Sequence, residues 1–148
     1  MAMGASKDLY EQDFQEWTAR NAELLRAGRF DEADIENIIE EIEDMGRSQR
    51  HQLRSRLRVL LVHLLKCQFQ PERRGSSWIS TISAQRAEID DLLEQAPSLR
   101  GVLEEAISKT YRQAVRLAAI ETGLSPDAFP ETCPFPLDRL LDTEFFPE

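Results

Sequence analysis

Two oppositely charged helical segments that follow one another directly constrain the fold most. Residues 31–46 contain eight acidic side chains and no basic one, whereas residues 47–74 contain eight basic side chains and one acidic. Apolar residues recur through both segments at intervals of three and four, which is the spacing of an amphipathic helix. These positions are Ile35, Ile38, Ile39, Ile42 and Met45, followed by Leu53, Leu57, Leu60, Leu61 and Leu64. The pattern predicts a long helical region with one acidic part and one basic part.

Gly46 stands at the junction and leaves two arrangements open. If the chain turns there, two helices lie antiparallel with their opposite charges facing each other. If the helix continues, Glu43 and Arg47 form a favourable i, i+4 pair, and the other charges are left for a partner. In either arrangement a basic stripe recurs at helical spacing through Arg47, Arg50, Arg54 and Arg58.

The rest of the chain also shows helical spacing and turn residues, and no window alternates with the period of a strand. The predicted helices are Lys7–Ala27, 31–46, Arg47–Phe69, one that follows the loop Gly75–Ser77 and ends at about Gln95, Pro97–Thr122 and a short one near Leu137–Leu141. We therefore expect an all-α helical bundle of about five main helices, with the third at its centre, and a proline-punctuated C-terminal tail.

The length of 148 residues fits one domain, so residues 1–148 are predicted to form a single helical domain. Within it, residues 1–7 are predicted to be disordered. Residues 124–148 are predicted to be a tail strapped across the bundle, because a short irregular segment can hardly bury its own phenylalanines.

Composition excludes several classes of protein. A net charge of −9 disfavours nucleic acid as a partner. The longest apolar stretch, Val59–Leu65, is far short of the roughly 20 residues that a membrane span needs. The two cysteines make no disulfide framework, and the sequence MAMGASKD has no apolar run behind a positive charge. We expect a cytoplasmic protein without a membrane partner.

A metal site is the main catalytic hypothesis that the residues suggest. Glu36, Glu40 and Glu43 share a helix face, and His63 could complete a metal shell from a facing helix. Carboxylate-bridged di-metal bundles need a Glu-x-x-His spacing, and here Leu60 occupies the position three residues before His63. No metal or cofactor is therefore predicted, and Glu40, Glu43 and His63 are kept as the candidates if one binds.

Four segments, in this order, resemble one known family. They are W-x3-N-x2-LLRAGRF from Trp17 with the following acidic helix, HLLK-x-Q-x-QPERR, SW-x3-I-x2-QR, and FPETCPFPLDRLLD. Together they make the chain, from Leu9 to Pro147, similar to a bacterial family catalogued as domain of unknown function 29. The resemblance implies an all-helical fold in bacterial cytoplasmic proteins, and it supplies no activity or catalytic residue.

Two functions remain as hypotheses. The leading one is a non-enzymatic protein-interaction or scaffold domain that presents charged helical faces to a protein partner or to a second copy of itself. Its predicted interaction surface consists of Glu36, Glu40, Arg47, Arg50, Arg54 and Arg58. The alternative is a metal- or small-ligand-dependent enzyme with a Glu/His site between the second and third helices.

Overall fold

The computed structural model describes residues 8–148, which contain helices and turns but no strand. The helices are α1 (Phe14–Arg26), α2 (Ile35–Phe69), α3 (Ser76–Gln95), α4 (Leu103–Thr122) and the short α5 (Leu137–Leu140). A helical turn at residues 8–12 precedes α1, and three short 3-10 helices lie at Pro71–Arg73, Pro97–Val102 and Pro126–Ala128. The predicted all-α class is confirmed. The disorder predicted for residues 1–7 lies outside the described residues.

Helix α2 passes through Gly46 without interruption and is 35 residues long. The predicted second and third helices are therefore one helix, and the described chain has four long helices instead of five. The helix begins at Ile35 instead of Asp31, because residues 29–33 form tight turns in which Glu32 N–H donates to Arg29 O and Ala33 N–H donates to Phe30 O. Of the two arrangements open at Gly46, the structure shows the continuous one.

The chain divides into two compact units, residues 1–48 (unit 1) and residues 49–148 (unit 2). Unit 1 contains α1 and the first fourteen residues of α2 among its described residues. Gly28, with a φ of 72°, follows α1 in the left-handed conformation that glycine adopts without steric cost. This division does not decide whether both units fold as one domain, so the single-domain organisation stays a prediction.

The later part of α2 lies at the centre of the unit 2 core. Six leucines on it are completely buried: Leu53, Leu57, Leu60, Leu61, Leu64 and Leu65. They pack in one cluster with side chains of α3 and α4 such as Ile82, Ile89 and Ala114. Burial of so many large side chains on one helix matches the central place predicted for residues 47–69.

A buried arginine on α3 binds the C-terminal segment of unit 2. The Arg86 guanidinium is only 3% exposed, and it donates to the carbonyl oxygens of Leu140 at 2.9 Å, Phe145 at 2.8 Å and Arg139 at 3.3 Å. Two further bonds join this segment to unit 2: Arg74 to Pro147 O at 2.8 Å, and Tyr111 to Pro130 O at 2.7 Å. Residues 130–147 are therefore held by polar contacts to their backbone.

No helix within residues 8–148 is long and apolar enough to cross a membrane.

Removal of the Arg86 guanidinium should destabilise the protein. Arg86→Met leaves three carbonyl groups without their donor, so we expect the free energy of unfolding in urea to fall by about 2–4 kcal/mol. Arg56→Met is the matched control, because the Arg56 side chain is 42% exposed and its distance to Glu88 is 3.9 Å. Equal losses in the two variants would show that the carbonyl contacts of Arg86 contribute little.

Candidate protein-interaction surfaces

A buried polar cluster holds α1 against the start of α2 in unit 1. Trp17 Nε1 donates to Asp34 Oδ2 at 3.0 Å, and Asn37 Nδ2 donates to the same oxygen at 2.7 Å. Asn21 accepts from the Asp34 backbone N–H at 2.8 Å and donates to Trp17 O at 2.9 Å. Asp34 immediately precedes α2, where the helix dipole favours a negative charge. The cluster therefore fixes the position at which α2 begins.

The sequence contains only part of the signal for this cluster. Trp17 and Asn21 are one helical turn apart, which predicts a shared face, and Asp34 and Asn37 are three residues apart at the start of a helix. The contact from Trp17 to Asp34 is tertiary and has no local signal. These four residues were not among the predicted site residues.

An apolar stripe on α2 is exposed throughout unit 1. Ile35 is 41% exposed, Ile39 50%, Ile42 57% and Met45 63%. Residues at these intervals are neighbours on one side of a helix. Four half-exposed large side chains in a row approach the size at which an apolar patch indicates a binding site.

Acidic side chains accompany this stripe along α2. Arg47 forms ion pairs with Glu40 at 3.0 Å, with Glu43 at 3.6 Å, and with Asp44. The Tyr10 hydroxyl donates to the Glu41 carboxylate, and this bond, with burial as a smaller cause, raises the pKa of Tyr10 to about 12. Glu36 belongs to the same acidic segment. We call Ile35, Ile39, Ile42 and Met45, together with Glu36, Glu40 and Glu43, the acidic apolar face.

Nearly all of the net negative charge lies in unit 1. Residues 1–48 contain thirteen acidic and five basic side chains, a net charge of −8. Residues 49–148 contain fourteen acidic and thirteen basic side chains, a net charge of −1. The electrostatic field around unit 1 therefore attracts cationic surfaces and repels nucleic acid and anionic lipid.

Three of the predicted basic-stripe residues lie in unit 2, beside a groove between α2 and α4. Arg54 and Arg58 line a hollow of about 310 Å³ together with Lys109 and Gln113 of α4. Arg50 lines an adjacent hollow of about 180 Å³. The fourth stripe residue, Arg47, belongs to unit 1 and is paired with acidic side chains there. The predicted stripe is therefore divided: Arg47 lies among acidic side chains of unit 1, and the other three arginines line a groove of unit 2.

The predicted metal-site residues have other partners. His63 Nδ1 is 2.9 Å from the carbonyl oxygen of Val59, one turn earlier on α2, and the side chain is half-buried. Glu40 and Glu43 pair with Arg47. Within residues 8–148 the structure shows no group of three or more His, Cys, Asp or Glu side chains that could hold a metal ion.

Neither cysteine is placed as an activated nucleophile. Cys67 is buried in the unit 2 core, and burial raises the pKa of its thiol. Burial also raises the pKa of Cys133, whose Sγ donates to Phe135 O at 3.6 Å. A raised pKa lowers the thiolate fraction at neutral pH, and the thiolate is the reactive form.

Comparison with protein families identifies the chain as a member of the family described as domain of unknown function DUF29, whose model matches residues 9–146. No curated protein and no solved structure matches the chain significantly.

Loss of the Asp34 carboxylate should lower the local stability of α1 and of the start of α2 in unit 1. Asp34→Ala removes the acceptor of both Trp17 and Asn37, so we expect about 1–3 kcal/mol less protection against hydrogen exchange in α1 and the first turns of α2. Asp31→Ala, three residues earlier in an exposed turn, is the control and should leave that exchange unchanged. Identical exchange in the two variants would contradict the role of the cluster.

The two tyrosines should ionise at a higher pH in the folded protein than in the unfolded chain. The Glu41 bond raises the pKa of Tyr10 to about 12, and burial raises that of Tyr111 to about 12, whereas an unfolded tyrosine has a pKa of about 10. Because the folded pKa is the higher one, the stabilising contribution is complete below pH 10 and is lost between about pH 10 and 12.

Tyrosinate absorbance near pH 11 measures this difference. It should indicate about one tenth ionisation in the native protein and about nine tenths in urea. Equal ionisation in the two states would contradict the raised pKa values of Tyr10 and Tyr111.

Proposed function

We propose that this DUF29 protein is a non-enzymatic protein-interaction domain, and that its acidic apolar face binds a basic amphipathic helix of a protein partner. The observation that carries the proposal is the exposure of Ile35, Ile39, Ile42 and Met45 in one row beside acidic residues. Exposed apolar rows with a polar rim are typical of binding surfaces.

The chemistry of the face supports this kind of partner. An amphipathic helix that docks on another helix presents apolar side chains at intervals of three and four, the same spacing as the exposed stripe. Basic residues beside those anchors would meet the acidic rim of unit 1, whose net charge is −8. The apolar contacts would supply most of the affinity, and the charges would increase the rate and selectivity of association.

We further propose that the protein functions in the cytoplasm. Both cysteines are free thiols, and a reducing compartment keeps such thiols unpaired. The metal- or ligand-dependent enzyme remains a hypothesis that no arrangement within the described residues favours.

A synthetic peptide of leucine and lysine with amphipathic helical spacing provides a direct test. We expect fluorescence anisotropy to show that it binds the full chain, and that the double change Ile39→Gln and Ile42→Gln weakens binding about tenfold or more, since both side chains would lose apolar burial. Added salt should weaken binding in both cases because the rim contacts are exposed.

Two controls separate this interface from general attraction between opposite charges. Ile79→Gln, a substitution in unit 2 at a position that is 37% exposed, should bind the peptide as the unmodified chain does. A peptide of the same composition in a non-amphipathic order should bind much less. Equal binding of the two peptides, or no effect of the double change, would overturn the proposal.

A further inference from the structure

The groove between α2 and α4 in unit 2 is lined by four cationic side chains: Arg50, Arg54, Arg58 and Lys109. Its larger hollow is formed by His51, Arg54, Ser55, Arg58, Lys109, Thr110 and Gln113. Its smaller hollow is formed by Arg50, Leu53, Arg54, Val102, Glu105, Ala106 and Lys109. Arg54 and Lys109 border both hollows, so the two hollows adjoin and are described together as one groove. We call it the basic groove.

Three guanidinium groups in the basic groove are available for an anion. Among the described residues of unit 2, no carboxylate oxygen lies within ion-pair distance of Arg50, Arg54 or Arg58, whereas Arg56 on another side of α2 approaches Glu88. Arg58 Nη1 donates to Gln113 Oε1 of α4 at 3.2 Å, which bridges the groove. Arg54 and Arg58 are half-buried, and partial desolvation strengthens their attraction for an anion.

The single carboxylate among the residues that line the groove is already neutralised. Lys109 Nζ lies 2.8 Å from Glu105 Oε1, and this hydrogen bond, with the Lys109 charge and a smaller effect of Arg54, lowers the pKa of Glu105. Four cations and one anion leave the lining with a net positive charge. The basic groove is therefore a cationic site in a unit whose overall net charge is −1.

Apolar groups accompany the cations, which indicates a ligand that is not only charged. Val102, which borders the smaller hollow, is partly exposed, whereas Leu53 and Ala106, which also line it, are buried. Further along α4, Leu117 is 41% exposed and Ile120 77%, and the exposed Arg116 lies beside them in the sequence. A fitting ligand has carboxylates and large aliphatic side chains on one rigid surface.

We propose that a second copy of this chain occupies the basic groove with the acidic apolar face of its unit 1. The charges are complementary, since residues 1–48 carry −8 and the groove carries the three arginines without carboxylate partners in unit 2. The exposed isoleucines of the face would contact Val102 and, further along α4, the exposed Leu117 and Ile120. The inference rests on the proposed function and specifies the partner of that same face: a basic surface made by two helices, α2 and α4 of a second copy, in place of one basic helix.

A second copy is favoured because every chain carries both surfaces, so copies supply the acidic apolar face and the basic groove in equal number. The contact between copies joins two different surfaces, so it is heterologous and closes into a ring or extends into a filament, according to the rotation between copies. Nucleic acid is disfavoured as the occupant because the chain has a net charge of −9.

Light scattering of the full chain tests the self-association. At about 0.05 M salt we expect a mass above that of the monomer, and at about 1 M salt a shift toward the monomer, because the charges are screened. A monomer in both conditions, at protein concentrations of about 0.1 mM, would overturn the inference. Binding of a fluorescent single-stranded oligonucleotide in preference to a second copy would assign the groove to nucleic acid and would also overturn it.

A charge-exchange pair of variants makes the test specific. The first variant carries Glu40→Arg and Glu43→Arg, and the second carries Arg54→Glu and Arg58→Glu. Each variant alone opposes like charges, so we expect self-association to weaken about a hundredfold. In a mixture the acidic face of the second variant meets the basic groove of the first, and the reversed pair is also complementary, so association should return.

The results distinguish this inference from the proposed function. Circular dichroism first establishes that each variant keeps its helical content. Failure of the mixture to associate, or undiminished association of either variant alone, would overturn the second-copy inference. If the leucine–lysine peptide still binds through Ile39 and Ile42 in that case, the proposed interaction function stands and only the identity of the partner is wrong.

Discussion

The uninterrupted hydrogen-bonded backbone of α2 is the constraint on which the other features depend. Within one helix, opposite charges interact well only when they are a turn or two apart, and Arg47 makes those contacts with Glu40, Glu43 and Asp44 at the junction. The remaining charges of both signs cannot neutralise each other along the same helix. These charges therefore form an acidic surface on unit 1 and a basic surface on unit 2.

The apolar spacing of α2 predicts its helical character, but it does not predict which part is buried. Ile35, Ile39 and Ile42 follow the same period as Leu53, Leu57 and Leu60, yet the first three are half-exposed and the last three are completely buried. Periodicity reports only the local face of a helix, and tertiary packing decides what covers it. This is why the sequence predicted the all-α fold and the central leucine helix but not the exposed acidic apolar face.

The sequence did not decide whether the helix turns or continues at Gly46, because the local energies of the two arrangements nearly balance. A glycine inside a helix costs about 1 kcal/mol, and ion pairs such as that of Glu43 with Arg47 recover only part of it. Only the α2 side of the basic groove was predicted. Arg50, Arg54 and Arg58 were selected by their spacing on one helix, whereas Lys109 joins them only through the packing of α4. Likewise, the contact of Trp17 with Asp34 joins two elements whose local patterns do not indicate each other.

The buried guanidinium of Arg86 also sets an order of events during synthesis. Its acceptors belong to residues 139, 140 and 145, which the ribosome adds more than fifty residues after Arg86 itself. Until then unit 2 lacks the fully buried Leu140, and a charged group of α3 lacks its partners. The contacts that hold unit 1 lie within residues 10–41 and are complete much earlier. In a nascent chain the contacts of unit 1 can thus form before α4, which lines one side of the basic groove, has been synthesised.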